Sequence, residues 1–519
     1  MVTIAQGSLA GRVDAQGVRS FKGIPYAEPP VGARRWQVPV AAAGWKGVRD
    51  AGHFGAACIQ PPWPKQAVYN DNIPKGSEDC LFLNVWAPAH AKKAPVIVWI
   101  YGGGLVFGST WEPYYNGRNF AAHGVVFVSM NYRLGVLGWL ALPALSAESP
   151  HGVSGNYGLL DQIEALKWVR KNIAAFGGDP DNVTIMGESA GGLSVAYLLA
   201  SPLARGLFEK AIGESLGIYS EPELKKADHG LPSAEEIGAK IEKAVGAANL
   251  KGLRAMDATK LNLLALKAGF RPTGTIDGWA LPRQLVDTYD RKEEAHVPVL
   301  MGFNAGEIET LPQFLPPLPS SSKVYASEIR SRYGNLAPAF LRLYPANNVK
   351  ASMMAAERDA IFGWGAERIV RDEAALGEPS YLYFFDHGYP AARAVGLHAF
   401  HASEIPYVFS RVGEHLVKNW PTPQGPRETA LSDAMIAYWT SFARTGVPKA
   451  PGEPDWPTFA PNKSYMHFAA KPEVSTDLMP GMYKLNEEEM ELRRRAGDEP
   501  WGSNVGVAAP VHSSLAAAR

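Results

Sequence analysis

A serine stands between two glycines at positions 187–191, which read Gly187-Glu188-Ser189-Ala190-Gly191. These residues fit the pattern G-x-S-x-G, and they follow a β-branched run and precede an apolar stretch at 193–200. A serine hydroxyl is a weak nucleophile, and this pattern raises it on a sharp strand-to-helix turn whose helix favours negative charge. Ser189 is therefore the predicted nucleophile. In isolation, the same pattern also arises by chance as a simple turn in a glycine-rich chain.

A second glycine group lies upstream, where Gly102-Gly103-Gly104 directly follows the apolar run 96–101. Backbone N–H groups without neighbouring side chains can donate hydrogen bonds to a carbonyl oxygen that becomes negative. The amides of these three glycines, together with that of Ala190, are the candidate donors. Three glycines also suit a flexible turn or a phosphate cradle, but the sequence lacks the G-x-x-x-x-G-K-[ST] pattern of a phosphate loop.

A serine nucleophile needs a base and an acid, which in this arrangement follow it in the order acid, then histidine. His398 and His401 are the histidines late in the chain. Their H-x-x-H spacing also suggests a metal site, although no H-E-x-x-H motif or cysteine cluster accompanies them. The acid should follow a sheet strand. Glu307 does so, with Glu309 and Asp277 as rivals. The pattern does not choose among them, and it calls for no metal and no organic cofactor.

The elements that must position these residues alternate between strand-like and helix-like segments, which predicts a mostly parallel sheet covered by helices. A helix is predicted over about 159–172, before the turn at 177–180. The mainly helical stretch 220–298 and the proline-rich stretch 312–322 are interpreted as insertions on the sheet. The predicted strands are short and apolar on both faces, as buried parallel strands are, at 96–101, 125–131, 183–187, 299–303 and 381–386.

Bulk composition excludes some functions. The 519 residues carry 51 basic and 51 acidic side chains, so no global charge attracts nucleic acid. The longest apolar runs are strand-sized, which predicts no integral membrane segment. The amino terminus lacks a basic region followed by an apolar one, so the protein stays inside the cell or a leader has been removed. One domain over residues 1–519 is expected, with a loosely packed tail from about 493 to 519.

Several strings in order give a more specific signal than any one motif. The chain resembles the type-B carboxylesterase/lipase family, which includes bacterial carboxylesterases, animal carboxylesterases and cholinesterases. The likeness covers nearly all of the sequence. It is carried by Phe21-Lys22-Gly23-Ile24-Pro25-Tyr26-Ala27, Ser77-Glu78-Asp79-Cys80-Leu81-Phe82-Leu83-Asn84-Val85, Tyr101-Gly102-Gly103-Gly104, Gly155-Asn156-Tyr157-Gly158-Leu159-Leu160-Asp161-Gln162 and Gly187-Glu188-Ser189-Ala190-Gly191-Gly192.

The resemblance implies the α/β-hydrolase fold, with a central, mostly parallel sheet and insertions that shape the pocket. It selects Glu307 as the acid and His401 as the histidine, and it implies that Gly103, Gly104 and Ala190 donate to the oxyanion. Two positions depart from the family. Ile308 replaces the usual glycine after the acid, and Leu105 replaces a common aromatic residue after the three glycines. Leu105 is therefore a candidate pocket residue, and the pocket wall there is less aromatic.

Other expectations concern the pocket and the location of the protein. Phe362 and Trp364 are candidates to line the pocket, although buried core aromatics are the commoner explanation of such a pair. On chemistry alone, Cys58 and Cys80 are equally consistent with two reduced thiols and with a disulfide. The resemblance favours the disulfide, and with it a secreted or periplasmic protein, while a cytoplasmic location stays open.

The function expected from the resemblance is hydrolysis of a small-molecule carboxylic ester by Ser189, His401 and Glu307 through an acyl-enzyme. A lipase, an amidase or a specialised esterase of the same fold are the alternatives among enzymes. A non-catalytic interaction domain is the alternative outside them, because the same fold also serves as a binding module. The oligomeric state is left undetermined by the sequence.

Overall fold

A computed structural model describes residues 1–70, 73–497, 501 and 506–511. Its strands are β1 (Val2–Ile4), β2 (Gly7–Ala10), β3 (Arg12–Val13), β4 (Arg19–Pro25), β5 (Val48–Asp50), β6 (Phe82–Ala87), β7 (Ala94–Ile100), β8 (Val126–Met130), β9 (Gly178–Glu188), β10 (Lys210–Glu214), β11 (Val299–Asn304), β12 (Ser380–Phe385), β13 (Ser464–Phe468) and β14 (Pro472–Thr476).

An eleven-stranded sheet forms the centre of the molecule, in the order β14-β13-β12-β11-β10-β9-β7-β8-β6-β4-β3. The seven strands from β13 to β8 pair in parallel, and the strands at both edges pair antiparallel. Strands β7, β8 and β11 are buried along their whole length, because helices cover both faces of the parallel part. The predicted α/β-hydrolase fold is confirmed.

The helices are α1 (Arg118–Ala122), α2 (Gly135–Trp139), α3 (Pro143–Glu148), α4 (Tyr157–Asn172), α5 (Ala190–Ala200), α6 (Ala234–Ala244), α7 (Leu250–Ala255), α8 (Ala258–Lys267), α9 (Leu285–Asp290), α10 (Ser322–Tyr333), α11 (Ala337–Leu343), α12 (Val349–Arg358), α13 (Trp364–Ala375), α14 (Pro390–Ala394), α15 (Ile405–Val408), α16 (Pro426–Thr445) and α17 (Met482–Ala496). Helix α5 is largely apolar and is buried at every position, because it packs directly on the sheet behind β9. None of the helices within the described ranges is both long and apolar enough to cross a bilayer.

Both segments interpreted as insertions lie between strands of the sheet. Between β10 and β11 the chain forms four helices, α6 to α9, and the proline-rich stretch after β11 leads into α10. Parallel strands carry their following loops to one edge of a sheet. The loops after β7, β9, β11 and β12 therefore meet at one edge.

The described residues of the tail that was expected to be loosely packed make contacts with the rest of the chain. Trp501 is fully buried, and Val507 and Ala509 pack against α10 in a second apolar cluster. The hydroxyl of Tyr333 donates to the carbonyl of Gly506 at 2.9 Å. Side chains of the tail thus pack against α10. The low periodicity of the tail sequence does not reveal this packing. Residues 498–500, 502–505 and 512–519 of this predicted tail lie outside the described residues.

Candidate active site

Ser189 lies on the turn between the end of β9 and the start of α5. Its backbone has φ of 57° and ψ of −121°, which is unfavourable for a residue with a side chain. The turn is tight, because a Cβ atom on Gly191 would lie 2.0 Å from the carbonyl oxygen of Ile100. The Ser189 amide donates to the carbonyl of Glu214 at 2.9 Å and so fixes the turn to β10. The Ser189 side chain is half-buried.

The turn after β7 lies beside Ser189. A Cβ atom on Gly102 would stand 2.9 Å from the Cβ of Ser189. Gly103 and Gly104 follow with φ of 96° and 62°, in the left-handed region that favours glycine. The carbonyl of Gly103 accepts from the amide of Phe107 at 2.9 Å. Among the described residues, the amides of Gly103, Gly104 and Ala190 donate to no protein acceptor. This leaves them available to a ligand.

His401 and Glu307 are hydrogen-bonded through His401 Nδ1 and Glu307 Oε2, and both are buried. The other oxygen of Glu307 accepts from the Ser215 hydroxyl and from the Asn304 amide, each at 2.7 Å. Three donors therefore hold this one carboxylate in place. The Glu307 carboxylate thereby fixes the imidazole ring and directs Nε2 to the opposite side.

Glu188 lies on that opposite side, with Oε1 3.1 Å from His401 Nε2. Burial lowers the pKa of His401, but the carboxylates of Glu188 and Glu307 outweigh it and raise that pKa to about 9. Burial also raises the pKa of Glu188 to about 7, although His401 opposes this change. Protons on Glu188 and His401 are thus shared by a coupled pair.

Two further buried carboxyl groups lie near Glu188. Glu214 accepts from the indole N–H of Trp439 at 2.6 Å, and burial raises the pKa of Glu214 to about 8. Glu404 is bonded to the Asn304 amide group, and burial raises its pKa well above the usual value. In both groups the low-dielectric interior disfavours the charged form of the carboxyl group.

The rival residues have other partners. His398 contacts Asp386 at 2.7 Å through Nε2, so His398 and His401 face different carboxylates. Glu309 accepts from the His398 amide at 2.6 Å. Asp277 accepts from the amides of its own loop at 279–281. Within the described ranges, no three His, Cys, Asp or Glu side chains are grouped as metal ligands would be.

The three candidate pocket residues have different surroundings. Phe362 lies beside the imidazole of His401, with ring centroids 5.3 Å apart. Trp364 is not brought to this group: its indole donates to Glu487 at 2.8 Å and lies under Arg368. Two residues along a helix differ by about 200° in direction, which separates it from Phe362. Leu105 is buried in the core, with φ of 60°.

Sequence reasoning missed Tyr69, which lies in the loop closed by Cys58 and Cys80. These cysteines form the predicted disulfide. The Tyr69 hydroxyl donates to the carbonyl of His401 at 2.9 Å, and its ring lies edge-on to the imidazole. The available signal was an aromatic residue in a loop closed by a disulfide. That signal does not identify its partner, because Tyr69 and His401 are more than 300 positions apart in the sequence.

Comparison with known proteins gives the family. Residues 1–489 match the model of the carboxylesterase family. The chain is 38% identical to fumonisin B1 esterase of Sphingopyxis macrogoltabida, over 88% of this chain and 84% of that protein. It is 36% identical to para-nitrobenzyl esterase of Bacillus subtilis (strain 168), over 88% and 92% of the two chains. The chain belongs to the carboxylesterase family.

Solved structures of esterases agree with this assignment. A structure of a PNB esterase aligns with a TM-score of 0.80 at 31% identity, over 93% of this esterase and 98% of that chain. A carboxylesterase of Geobacillus stearothermophilus also aligns with a TM-score of 0.80, at 33% identity, over 93% and 99% of the chains. This carboxylesterase is therefore an enzyme that acts on carboxylic esters.

Proposed function

We propose that this carboxylesterase hydrolyses small-molecule esters through an acyl-enzyme, with Ser189 as nucleophile, His401 as base and Glu307 as supporting acid. One observation carries the assignment. The buried His401–Glu307 pair lies at the same sheet edge as Ser189, a half-buried serine on a strained turn beside unpaired backbone amides.

In the proposed reaction, His401 Nε2 removes the hydroxyl proton of Ser189 while the serine oxygen bonds to the ester carbonyl carbon. The carbonyl electron pair moves to oxygen, where the amides of Gly103, Gly104 and Ala190 stabilise the charge. Collapse of this intermediate expels the alcohol, which takes the proton from His401. Water then repeats the steps, releases the carboxylic acid and restores Ser189. Glu307 holds the imidazole and stabilises its cation.

The substrate class follows from the side chains near His401. Phe362 and Tyr69 supply aromatic faces, and the buried groups beside them are carboxyl groups. Aromatic faces beside the imidazole favour esters with an apolar acyl or alcohol group. The disulfide supports an oxidising location, outside the cell or in a periplasm.

Hydrolysis of a p-nitrophenyl ester series of rising acyl length tests the proposal. The native protein should turn over and Ser189→Ala should lose nearly all triad-dependent activity under identical conditions. A p-nitroanilide and an emulsified triglyceride, run in parallel, separate the esterase from an amidase or a lipase. Activity of Ser189→Ala at the native rate would contradict the assignment of the nucleophile, and an inert native protein would favour a binding module.

A further inference from the structure

The segment 60–70 forms a strap over the His401 side of the site, inside the loop closed by Cys58 and Cys80. Its first residue, Gln60, exchanges hydrogen bonds with the backbone of Gly108, at 2.8 Å and 3.0 Å. Trp63 stacks on Phe107, with ring centroids 4.0 Å apart. The strap is therefore fixed at one end to the turn that carries Gly103 and Gly104.

The other half of the strap is fixed near His401. The side-chain amide of Asn419 donates to the carbonyls of Lys65 and Ala67, at 2.8 Å and 2.9 Å. Tyr69 follows, and its ring packs edge-on against Trp420 at 5.9 Å. These contacts hold the backbone of the strap in place and bring the Tyr69 phenol to the loop that carries His401.

The direction of the Tyr69 hydrogen bonds follows from their chemistry. Its oxygen lies 2.9 Å from the carbonyl oxygen of His401 and 2.7 Å from the hydroxyl of Thr310. A carbonyl only accepts and a phenol has one hydrogen, so Tyr69 donates to His401 and Thr310 donates to Tyr69. Thr310 ends the short turn Glu307–Thr310 that begins with the supporting acid. The phenol thus joins that turn to the loop of the histidine.

The histidine loop needs such support. Ala399, two residues before His401, and Ala402, directly after it, have φ of 44° and 67°, a left-handed conformation that is unfavourable for a residue with a side chain. The carbonyl of Ala399 accepts from the Gly306 amide at 2.9 Å, and that of Phe400 from the Asn304 side chain at 3.0 Å. The carbonyl of His401 instead accepts from the hydroxyl of Tyr69, which lies in the strap and not in the segment that carries Glu307.

We propose that Tyr69 is a positioning residue for ester hydrolysis: its phenol ties the turn of Glu307 to the loop of His401 and thereby keeps the imidazole in its working position. The inference rests on the proposed function, because it assigns His401 as the base. It predicts a role in turnover and not in substrate binding. It also gives the strap a catalytic purpose beyond covering the site.

Steady-state kinetics of Tyr69→Phe on p-nitrophenyl esters test the proposal, because the ring stays and only the hydroxyl leaves. We expect kcat to fall by roughly tenfold, the effect of about one hydrogen bond, with KM within about twofold of the native value. Phosphonylation of Ser189 by a p-nitrophenyl phosphonate should slow by the same factor. Tyr438→Phe is the matched control, since Tyr438 is a buried phenol that donates to the Pro454 carbonyl at 2.6 Å. Its kcat should equal that of the native protein.

A second pair of variants keeps the test available if Tyr69→Phe does not fold. Thr310→Val removes the donor to Tyr69 and should lower kcat. Thr310→Ser retains the hydroxyl, so its kcat should equal that of the native protein. An active native protein whose Tyr69→Phe variant keeps kcat, or changes only KM, would overturn the inference and leave the proposed function standing. Equal kcat values for Thr310→Val and Thr310→Ser would also overturn it. An inert native protein would instead overturn the proposed function, on which the inference rests.

Discussion

His401 Nε2, the ring nitrogen that Glu307 leaves free, lies 3.1 Å from Glu188 Oε1. The imidazole therefore stands between the carboxylates of Glu307, the proposed acid, and Glu188, which precedes the proposed nucleophile. Burial opposes a charge on the ring, but the two carboxylates prevail and raise the pKa of His401 to about 9. A base must be neutral to accept a proton, so the activity of this esterase should rise with pH through that titration.

Glu188→Gln should shift the acid limb of the kcat/KM profile to lower pH. The variant removes one negative charge beside the ring, which lowers the pKa of His401 and makes the neutral base available at lower pH. A charge at this distance changes a neighbour's pKa by about one to three units. The measurement is kcat/KM against pH for both proteins, and an acid limb at the same pH in both would contradict the account.

Ser215→Ala should reduce turnover without preventing folding. The Ser215 hydroxyl donates to Glu307 Oε1 at 2.7 Å, and hydrogen bonds to a charged group contribute about 1.5–3 kcal/mol. We expect kcat to fall by roughly one to two orders of magnitude, with little change in KM. Ser352→Ala is the control, because that buried hydroxyl donates to a carbonyl, of Pro345, at 2.7 Å. A kcat for Ser215→Ala equal to that of the control would refute the role of this contact.

Gly103→Ala should disable the proposed oxyanion site. Gly103 has φ of 96°, and a Cβ atom there would lie 2.5 Å from the carbonyl oxygen of Phe107, so the turn must move. Misplacing one donor costs about a hundred- to a thousandfold in kcat. Gly152→Ala is the control for backbone strain alone, since Gly152 has φ of 67° and no atom near its Cβ position. Similar kcat values for both variants would argue against an oxyanion site at Gly103.

Glu214→Gln should make stability less dependent on pH. Burial raises the folded-state pKa of Glu214 from 4.5 to about 8, so the folded chain holds a proton that the unfolded chain releases. This group therefore makes stability fall as pH rises from about 4.5 to about 8. The amide removes that contribution and still accepts from Trp439. In thermal unfolding, the midpoint of Glu214→Gln relative to native should increase from pH 5 to pH 8. A difference between the two unfolding midpoints that stays the same from pH 5 to pH 8 would contradict this prediction.

The sequence predicted the fold, and it predicted that the candidate site residues follow strands of the sheet, because Ser189, Glu307 and the three glycines each come directly after an apolar strand-like run. The choice of Glu307 over Glu309 depended on resemblance to a family, since both carboxylates follow the same strand. The structure shows how the two carboxylates differ. Glu309 accepts a hydrogen bond from the backbone amide of His398, whereas Glu307 is hydrogen-bonded to the ring of His401. The surroundings of Trp364 and of the described tail residues could not be predicted from the sequence, because side-chain direction and distant packing leave no periodic signal. Tyr69 was missed because its partner lies far along the chain.

Covalent labelling of the native esterase tests the central assignment most directly. A p-nitrophenyl phosphonate should transfer its phosphonyl group to the nucleophile and release p-nitrophenolate, and peptide mass spectrometry locates the adduct. We predict a single adduct on Ser189, with loss of ester hydrolysis in proportion to labelling, and no adduct in Ser189→Ala. An adduct on another residue that abolishes activity, or full hydrolysis by a protein labelled at Ser189, would contradict the account.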